Sequence, residues 1–159
     1  MKKCTTLGLG CFWKPEENFK DKPGIIETEV GYAGGINPNV TYEEVCSGNT
    51  GHAEVVRITY DDKIISFKKI LDLFFKMHDP TQKDMQYPDV GTQYRSEIFY
   101  ETDEEKKETE EVLNEKNKEF NGKIQTNISK LKNYCKAEEY HQKYIEKKDD
   151  ETFSNYRLA

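Results

Sequence analysis

The hydrophobic residues in the first half of the chain follow the periods of strands and helices in turn. A short apolar run predicts a strand over residues 5–10, and apolar positions three and four apart predict a helix over residues 11–21. Alternation predicts a second strand at 25–32 and a third at 53–60, and a capping box predicts a helical turn at 41–46. This half therefore predicts three strands linked by one helix and one helical turn.

The second half of the chain predicts two more strands and three more helices. Ser66 is a typical helix N-cap, and the polar stretch after that helix has a length often found in functional loops. The predicted elements are a helix at 66–78, a loop at 81–93, a strand at 95–100, a helix at 102–120, a strand at 124–131 and a helix at 137–147. Roughly the last 12 residues are polar, and we expect them to form a loosely held tail.

This order of elements predicts an α+β or α/β domain of two layers, with helices packed on a mixed sheet. A right-handed first crossover makes the first two strands parallel, which places Cys11 and Tyr32 at the same end of the sheet. An antiparallel third strand would begin at that end with Glu54. The topology therefore predicts that a thiol, a phenol and a carboxylic acid converge there.

The composition indicates a soluble globular protein whose residues 1–159 form one domain. The net charge is −6, and acidic and basic side chains are mixed along the chain without a basic stripe, so nucleic acid is not an expected partner. No apolar run reaches the roughly 18 residues of a membrane span, and the N-terminus lacks the apolar region of a signal peptide. We expect a cytoplasmic protein with no membrane partner.

The candidate nucleophile is Cys11, at the junction of the first strand and the first helix. A thiol in the first turn of a helix lies among unpaired backbone N–H groups at the positive end of the helix dipole, which favours the thiolate. The alternative is a small buried cysteine at the end of a core strand. The neighbouring Gly8 and Gly10, and the aromatic pair Phe12 and Trp13, weigh against that alternative.

Glu54 is the candidate acid because of its position on the pleat of the third strand. It shares a face with Val56, Ile58 and Tyr60, which is the more apolar face. If this face is buried, desolvation raises the pKa of the carboxyl group and lets it hold a proton near neutral pH. The alternative is that the face of Arg57 is buried and Glu54 is exposed.

Six short motifs resemble, in the same order, those of the peptide methionine sulfoxide reductases of the A type. The motifs are Gly10-Cys11-Phe12-Trp13, Gly31-Tyr32-Ala33-Gly34-Gly35, Gly51-His52-Ala53-Glu54-Val55-Val56, His78-Asp79-Pro80-Thr81-Gln82, Gly91-Thr92-Gln93-Tyr94-Arg95-Ser96 and Glu139-Tyr140-His141-Gln142. The resemblance runs over residues 8–147, nearly the whole chain. One such motif would be weak, but six in the family's order leave little room for chance.

The resemblance implies an α+β fold with a two-layer, ferredoxin-like core and long active-site loops. It also implies reduction of the S epimer of methionine sulfoxide, free or in proteins. Cys11 looks like the nucleophile that attacks the sulfoxide sulfur and becomes a sulfenic acid, and Glu54 looks like the acid that protonates the oxygen. The residues implied to hydrogen-bond that oxygen are Tyr32, Tyr94 and Asp89, and those implied to line the pocket for the substrate's methyl group are Phe12 and Trp13.

Three departures from the family pattern bear on the site and on reduction of the sulfenic acid. The glycine-rich C-terminal tail with resolving cysteines is absent, which implies an external thiol: glutathione with glutaredoxin, or a dithiol partner such as thioredoxin. Cys135 stands where an aromatic residue is usual, and it is either a substitute resolving thiol or a core residue. The run at 87–90 differs from that of many members, which weakens the role of Asp89. Cys4 and Cys46 are expected to be structural.

No metal and no bound cofactor is expected, because the three histidines and four cysteines lack the spacing of a metal site. The residues alone leave two other functions open. One is a thiol peroxidase that uses Cys11, which would leave the Phe12-Trp13 pair unexplained. The other is a non-catalytic protein that binds oxidised methionine in the aromatic pocket and would keep its binding after Cys11→Ser.

Overall fold

A six-stranded mixed sheet forms the centre of the protein in the computed structural model, which describes residues 1–150. The strands of the described part are β1 (Lys2–Leu9), β2 (Ile25–Ala33), β3 (Ala53–Asp61), β4 (Met85–Gln86), β5 (Asp89–Val90), β6 (Ser96–Tyr100), β7 (Asn127–Lys130) and β8 (Cys135–Lys136). The helices are α1 (Trp13–Phe19), α2 (Tyr42–Cys46), α3 (Phe67–Met77) and α4 (Asp103–Glu119), with short 3-10 helices at Thr92–Tyr94 and Glu139–His141 and a helical stretch at 144–150.

The direction of the strands in the six-stranded sheet follows from four antiparallel pairings and one parallel pairing. β1 and β2 both pair antiparallel with β3, so they run parallel to each other on either side of it. On the far side of β1 lies β6, antiparallel to β1, and β7 pairs parallel with β6. β8 closes the other edge, antiparallel to β2. The predicted α+β class with a mixed sheet is confirmed, and the ends of β1 and β2 meet the start of β3.

The main hydrophobic core lies between one face of this sheet and the helices. Side chains from β1, β3 and β6 pack against the apolar stripe of α3, which Ser66 caps by accepting the Lys69 backbone N–H at 3.0 Å. Phe74, at the centre of the stripe, is fully buried. Burial of one such side chain stabilises the fold by about 1.5–3 kcal/mol. The packed helix therefore supports the strands whose ends carry the chemistry.

The predicted helix at 137–147 is wrong as one continuous element. A 3-10 helix covers Glu139–His141, and Lys143 then adopts a positive φ of 53° before helical geometry resumes. Between them, the Gln142 side chain accepts the Val30 backbone N–H and donates to the Val30 carbonyl, each at 2.9 Å. These hydrogen bonds to β2 hold the segment in an extended path, and so tertiary contacts override helix propensity here.

Two boundaries near the predicted site also differ from prediction. The first helix begins at Trp13 rather than at residue 11, and Phe12 is its N-cap. The predicted loop at 81–93 holds the hairpin of β4 and β5 and most of the 3-10 helix Thr92–Tyr94. This segment therefore contains regular secondary structure and is not an irregular loop.

Towards the C-terminus, the predicted strand at 124–131 shortens to β7. The Ile124 backbone N–H donates to the Asn117 side chain at 3.2 Å, so this residue does not join the strand ladder. Of the predicted loose tail, residues 148–150 are helical, and residues 151–159 lie outside the described residues.

Candidate active site

Three predicted groups lie together where β1 and β2 end and β3 begins. Cys11 follows the end of β1 by two residues, and Tyr32 lies opposite Glu54 in the antiparallel ladder between β2 and β3. Phe12 joins them, because its backbone N–H donates to Glu54 Oε1 at 3.2 Å. The structure therefore contains the convergence of thiol, phenol and acid that strand direction predicts.

The Cys11 thiol is partly buried and precedes the N-cap of α1, so it does not lie in the first turn of the helix as predicted. Burial raises the pKa of this thiol to about 12, and negative charge on Glu54 and Asp89 adds to the rise. The Trp13 backbone N–H lowers the pKa, but by less than burial raises it. The prediction that Cys11 is a thiolate in the resting site is therefore wrong. The effect of desolvation on the pKa of Cys11 is larger than the opposing effect of the backbone N–H at the helix N-terminus, so the thiol keeps its proton.

Glu54 is 1% exposed and faces the core side of β3, so the alternative of an exposed acid is excluded. Burial raises the pKa of its carboxyl group to about 8, although the Phe12 N–H opposes the rise; negative charge on Asp89 adds to it. Glu54 Oε2 is buried and has no hydrogen-bond partner within the described residues. The predicted burial of Glu54 and its raised pKa are confirmed, and its role as the acid stays a prediction.

Tyr32 is fully buried, and its hydroxyl donates to Glu138 Oε1 at 2.8 Å. Burial and this carboxylate raise the pKa of Tyr32 well above its usual range, so the phenol stays protonated. A phenol has one hydrogen to donate, and Glu138 receives it. Tyr32 therefore lies beside Glu54 as predicted, but its hydrogen points to another partner.

Tyr42 is a site residue that the sequence analysis missed. Burial raises the pKa of Tyr42 above its usual range, with further contributions from Cys46, Glu54 and Tyr94, which places the phenol among these groups. The local pattern of residues 41–46 indicates only a capped helical turn, and the capping box is indeed present. Only the docking of α2 against the strand ends identifies Tyr42, so no local signal was available.

Asp89 and Tyr94 reach the site through the hairpin and the 3-10 helix. Gly10 has a φ of +91°, and a Cβ there would lie 2.8 Å from the Gln86 side chain, so only glycine lets the hairpin pack this closely beside Cys11. Burial raises the pKa of Tyr94 above its usual range, and Asp89 and Cys11 contribute to the rise. Both predicted residues therefore lie near the thiol, and Tyr94 retains its hydroxyl hydrogen.

An aromatic cluster forms one side of the site. The Phe12 ring lies 5.7 Å from the Tyr32 ring and 5.2 Å from the His141 ring. Trp13 stacks on Tyr144 at 4.0 Å, and its indole N–H donates to His141 Nδ1 at 3.0 Å. The predicted pair Phe12 and Trp13 is thus held by two residues of the C-terminal part, neither of which the sequence analysis placed in the site.

The remaining cysteines occupy different positions. Cys135 lies in β8 opposite Tyr32, and its thiol is within 3.7 Å of the Val40 carbonyl. Cys46 ends α2 and is exposed, and negative charge on it contributes to the raised pKa of Cys11. Among the described residues all four cysteines are free.

Two other properties of the described residues concern ligands and membranes. Within residues 1–150, no group of three or more His, Cys, Asp or Glu side chains is arranged to hold a metal ion. None of the helices in the same range has the length and apolar content needed to cross a membrane.

Comparison with known proteins identifies the family. A sequence model described as Peptide methionine sulfoxide reductase matches residues 3–159. Peptide methionine sulfoxide reductase MsrA of Pelagibacter ubique (strain HTCC1062) is 57% identical over 142 residues, covering 89% of this chain and 97% of that protein. Mxr1 of Saccharomyces cerevisiae in reduced form has a TM-score of 0.87 at 39% identity, covering 92% of this chain and 85% of that chain. Mxr1 in complex with Trx2 has a TM-score of 0.65 at 29% identity, covering 90% and 84%.

A thiol beside a buried acid, at one end of an α+β sheet, suits an enzyme that uses a cysteine nucleophile, and the matching family model makes that enzyme an oxidoreductase. The chain belongs to the peptide methionine sulfoxide reductase family, and its relatives are of the MsrA type. The resemblance carried by the six sequence motifs is therefore confirmed.

Proposed function

We propose that the chain reduces the S epimer of methionine sulfoxide, free or in proteins, at the site around Cys11. Reduction of methionine sulfoxide is the activity of its family; the epimer and the roles of individual residues are our proposal. The observation that carries it is the Cys11 thiol near a buried Glu54 that holds a proton at neutral pH. A peroxidase or a non-catalytic binding protein is not favoured by any of these contacts.

The chemistry follows from these two groups. Cys11 Sγ attacks the sulfoxide sulfur while Glu54 gives its proton to the sulfoxide oxygen, and the thiol proton replaces it on Glu54. The bond between the two sulfur atoms and the bond between the substrate sulfur and oxygen then break as the hydroxyl group passes to Cys11 Sγ, so that methionine leaves and Cys11 becomes a sulfenic acid. The sulfoxide is reduced by two electrons and the thiol is oxidised by two, so the step balances without a bound cofactor.

Hydrogen bonds to the sulfoxide oxygen are the second requirement, because negative charge grows there as the bond to Cys11 forms. We assign them first to Tyr94, whose phenol lies near Glu54 and Cys46, and second to Tyr42, whose hydroxyl is hydrogen-bonded to Cys46 in the resting site. Asp89 lies near the thiol, and its negative charge contributes to the raised pKa of Cys11. Tyr32, the donor implied by the family resemblance, is a weaker choice because its hydrogen already goes to Glu138.

Phe12 and Trp13 supply the apolar wall for the S-methyl group. The buried Phe12 ring and the stacked Trp13 ring hold a rigid surface beside the thiol. Such a wall positions the sulfoxide so that its oxygen faces the donors, which is how we account for selection of one epimer.

The fold and the physiological context complete the proposal. The order β1-α1-β2-β3-α3-β6 and the sheet order β6-β1-β3-β2 support a ferredoxin-like core within a single catalytic domain of residues 1–159. We infer an external thiol as reductant, and the complex of Mxr1 with Trx2 supports a thioredoxin, with glutaredoxin and glutathione as the other choice. The mixed charge pattern supports the absence of nucleic-acid partners, and we propose a cytoplasmic location.

Methionine formation from the separated sulfoxide epimers tests the proposed function. With dithiothreitol as reductant, we expect turnover of the S epimer alone, because the aromatic wall and the oxygen donors fit only one arrangement of methyl and oxygen. Chromatographic detection of methionine provides the measurement. Reduction of the R epimer, or of neither epimer with continued consumption of hydrogen peroxide, would contradict the proposal.

The role of Cys135 is tested by a single turnover without reductant. We expect Cys11 to remain a sulfenic acid, detected by a dimedone adduct in the intact mass, since the Cys135 thiol is directed at the Val40 carbonyl. Cys135→Ser should leave both the adduct and dithiothreitol-dependent turnover unchanged, as should Cys46→Ser. A stoichiometric disulfide between Cys11 and Cys135 would instead establish Cys135 as the resolving thiol.

A further inference from the structure

His141 lies inside the aromatic cluster that forms one side of the site. It is 1% exposed, and its ring contacts those of four other aromatic side chains. The centroid distances are 5.2 Å to Phe12, 5.6 Å to Trp13, 4.3 Å to Tyr42 and 4.1 Å to Tyr140. Its Nδ1 atom also accepts the indole N–H of Trp13 at 3.0 Å. This polar side chain therefore joins the cluster to a residue of the methyl pocket.

The hydrogen bond from Trp13 defines the state of the His141 ring. Because Nδ1 accepts the indole hydrogen, a neutral imidazole carries its own hydrogen on Nε2. Burial lowers the pKa of His141, which favours the neutral ring, although the charges of Glu138 and Glu43 oppose this effect. His141 Nε2 is buried and has no hydrogen-bond partner within residues 1–150. In that part of the chain, the hydrogen bonding of this side chain is directed at Trp13.

A buried carboxylate of α1 anchors the segment that carries His141. Glu16 is 1% exposed, its Oε1 atom accepts the Lys143 backbone N–H at 2.6 Å, and its Oε2 atom accepts the Thr28 hydroxyl at 2.9 Å. Glu16 follows Trp13 by three residues in α1, so the two side chains lie on the same face of that helix. The helix face that carries Trp13 thus also fixes the position of its acceptor.

Two contacts together set the orientation of the Trp13 indole. The indole stacks on Tyr144 with a centroid distance of 4.0 Å and an interplanar angle of 11°. Stacking restrains the tilt of a ring, because tilting separates the two faces, but it allows the ring to slide or turn in its own plane. The hydrogen bond to His141 restrains that movement, because hydrogen bonds weaken steeply as their angle departs from linear. The position of the indole therefore depends on His141 as well as on Tyr144.

We propose that His141 is a positioning residue for substrate binding, whose Nδ1 atom fixes the Trp13 indole as part of the apolar wall that receives the S-methyl group of the sulfoxide. This inference rests on the proposed function, because it concerns the methyl pocket of that site. The segment around His141 contributes to substrate binding without touching the reacting atoms. It also gives a role to the last of the six sequence motifs, Glu139-Tyr140-His141-Gln142.

Removal of the acceptor is the first test. His141→Phe keeps a ring in the cluster but cannot accept the indole N–H. In single-turnover kinetics with the S sulfoxide in excess, we expect the half-saturating concentration to rise about fivefold, as for loss of one hydrogen bond. The limiting rate should stay within about twofold, because the wall contacts the methyl group equally before and during the reaction. His141→Asn loses the ring but offers an amide oxygen near the place of Nδ1, so its half-saturating concentration should lie closer to that of the unmodified chain.

Removal of the donor tests the same bond from its other side. Trp13 is the only tryptophan of the chain, so benzothienylalanine, in which sulfur replaces the indole N–H, can be incorporated at this position alone. We expect the same rise as in His141→Phe and no further rise when the two changes are combined. Each change tests the bond by itself, so one folded variant is sufficient. Rises that add in the combination, an unchanged half-saturating concentration, or a larger rise in His141→Asn than in His141→Phe would overturn the proposal.

Ultraviolet resonance Raman spectroscopy keeps the test independent of turnover. The N–H bending band of the single indole reports its hydrogen bond, and it should shift in His141→Phe but not in His141→Asn. If the chain reduced no sulfoxide, the proposed function would fail while this band still reported on the bond to His141. If turnover were normal and the band shifted without a change in the half-saturating concentration, only the role of His141 in substrate binding would fail.

Discussion

Cys11→Ser is expected to abolish methionine formation from the S sulfoxide, with a loss of roughly 10⁴-fold or more in kcat/KM. A serine hydroxyl is a much weaker nucleophile than sulfur, and the neighbouring Glu54, whose pKa burial raises to about 8, is protonated at neutral pH and cannot serve as its base. The remaining acid and the aromatic wall still bind the sulfoxide, so KM or the dissociation constant should change little. Single-turnover kinetics with purified S epimer provide the measurement.

Cys4→Ser is the matched control for this change. Cys4 lies in β1, the strand that leads to Cys11, but near the opposite end of that strand. There its thiol contacts the Thr59 hydroxyl at 3.3 Å. Its replacement should leave turnover intact. If Cys11→Ser kept appreciable activity while Cys135→Ser or Cys46→Ser lost it, Cys11 would not be the nucleophile.

Glu54→Gln is expected to lower the rate of the reductase step by about 10²–10⁴-fold. Glutamine keeps the shape of the side chain and can accept the Phe12 N–H, but it has no proton to give to the sulfoxide oxygen. Glu27→Gln, an exposed position on the adjacent strand β2, is a matched control that should behave like the unmodified chain.

The pH profile distinguishes loss of the proton from loss of structure. Because burial raises the pKa of Glu54 to about 8, the active protonated form is lost as pH rises through that value, and kcat/KM should fall there. The Cys11 pKa of about 12 lies too high to produce this limb. Glu54→Gln should lack the limb altogether. A limb that persisted in this variant would have to come from another group, and the assignment of Glu54 would fail.

The raised pKa of Glu54 also predicts that the stability of the fold depends on pH. Between the ordinary pKa of a glutamate and about 8, the unfolded chain ionises at residue 54 while the folded chain keeps the proton, so stability falls as pH rises through this window. Glu54→Gln removes this penalty. We therefore expect it to resist urea better than the unmodified chain at pH above 8 but not in acid. The carboxyl group that we propose as the proton donor thus weakens the fold in alkali.

The sequence predicts much of this site because the relevant signals are local. The alternation of β3 places Glu54 on the buried face, and the handedness of a single crossover brings Cys11 to the same end of the sheet. The Thr41 capping box is found as predicted, since both of its hydrogen bonds lie within one turn. Period and capping depend on neighbours in sequence, which is why they can be derived without the structure.

What the sequence does not predict depends on contacts between distant segments. The helix predicted at 137–147 breaks because Gln142 binds β2, and the Tyr32 hydroxyl donates to the distant Glu138. The protonated state of Cys11 is also not predicted from the sequence. It follows from the burial of the thiol in the folded chain, and not from the position of Cys11 before a helix.

The high pKa of Cys11 has a consequence for a repair enzyme that works where oxidants are present. Thiols react with hydrogen peroxide through the thiolate, so a thiol that keeps its proton is slow to be oxidised in the resting protein. In the proposed reaction a bound sulfoxide would change this, because its positively polarised sulfur would draw electron density from Cys11 as the oxygen takes the proton of Glu54. The substrate itself would then activate the nucleophile, and the resting thiol would be protected from oxidation between turnovers.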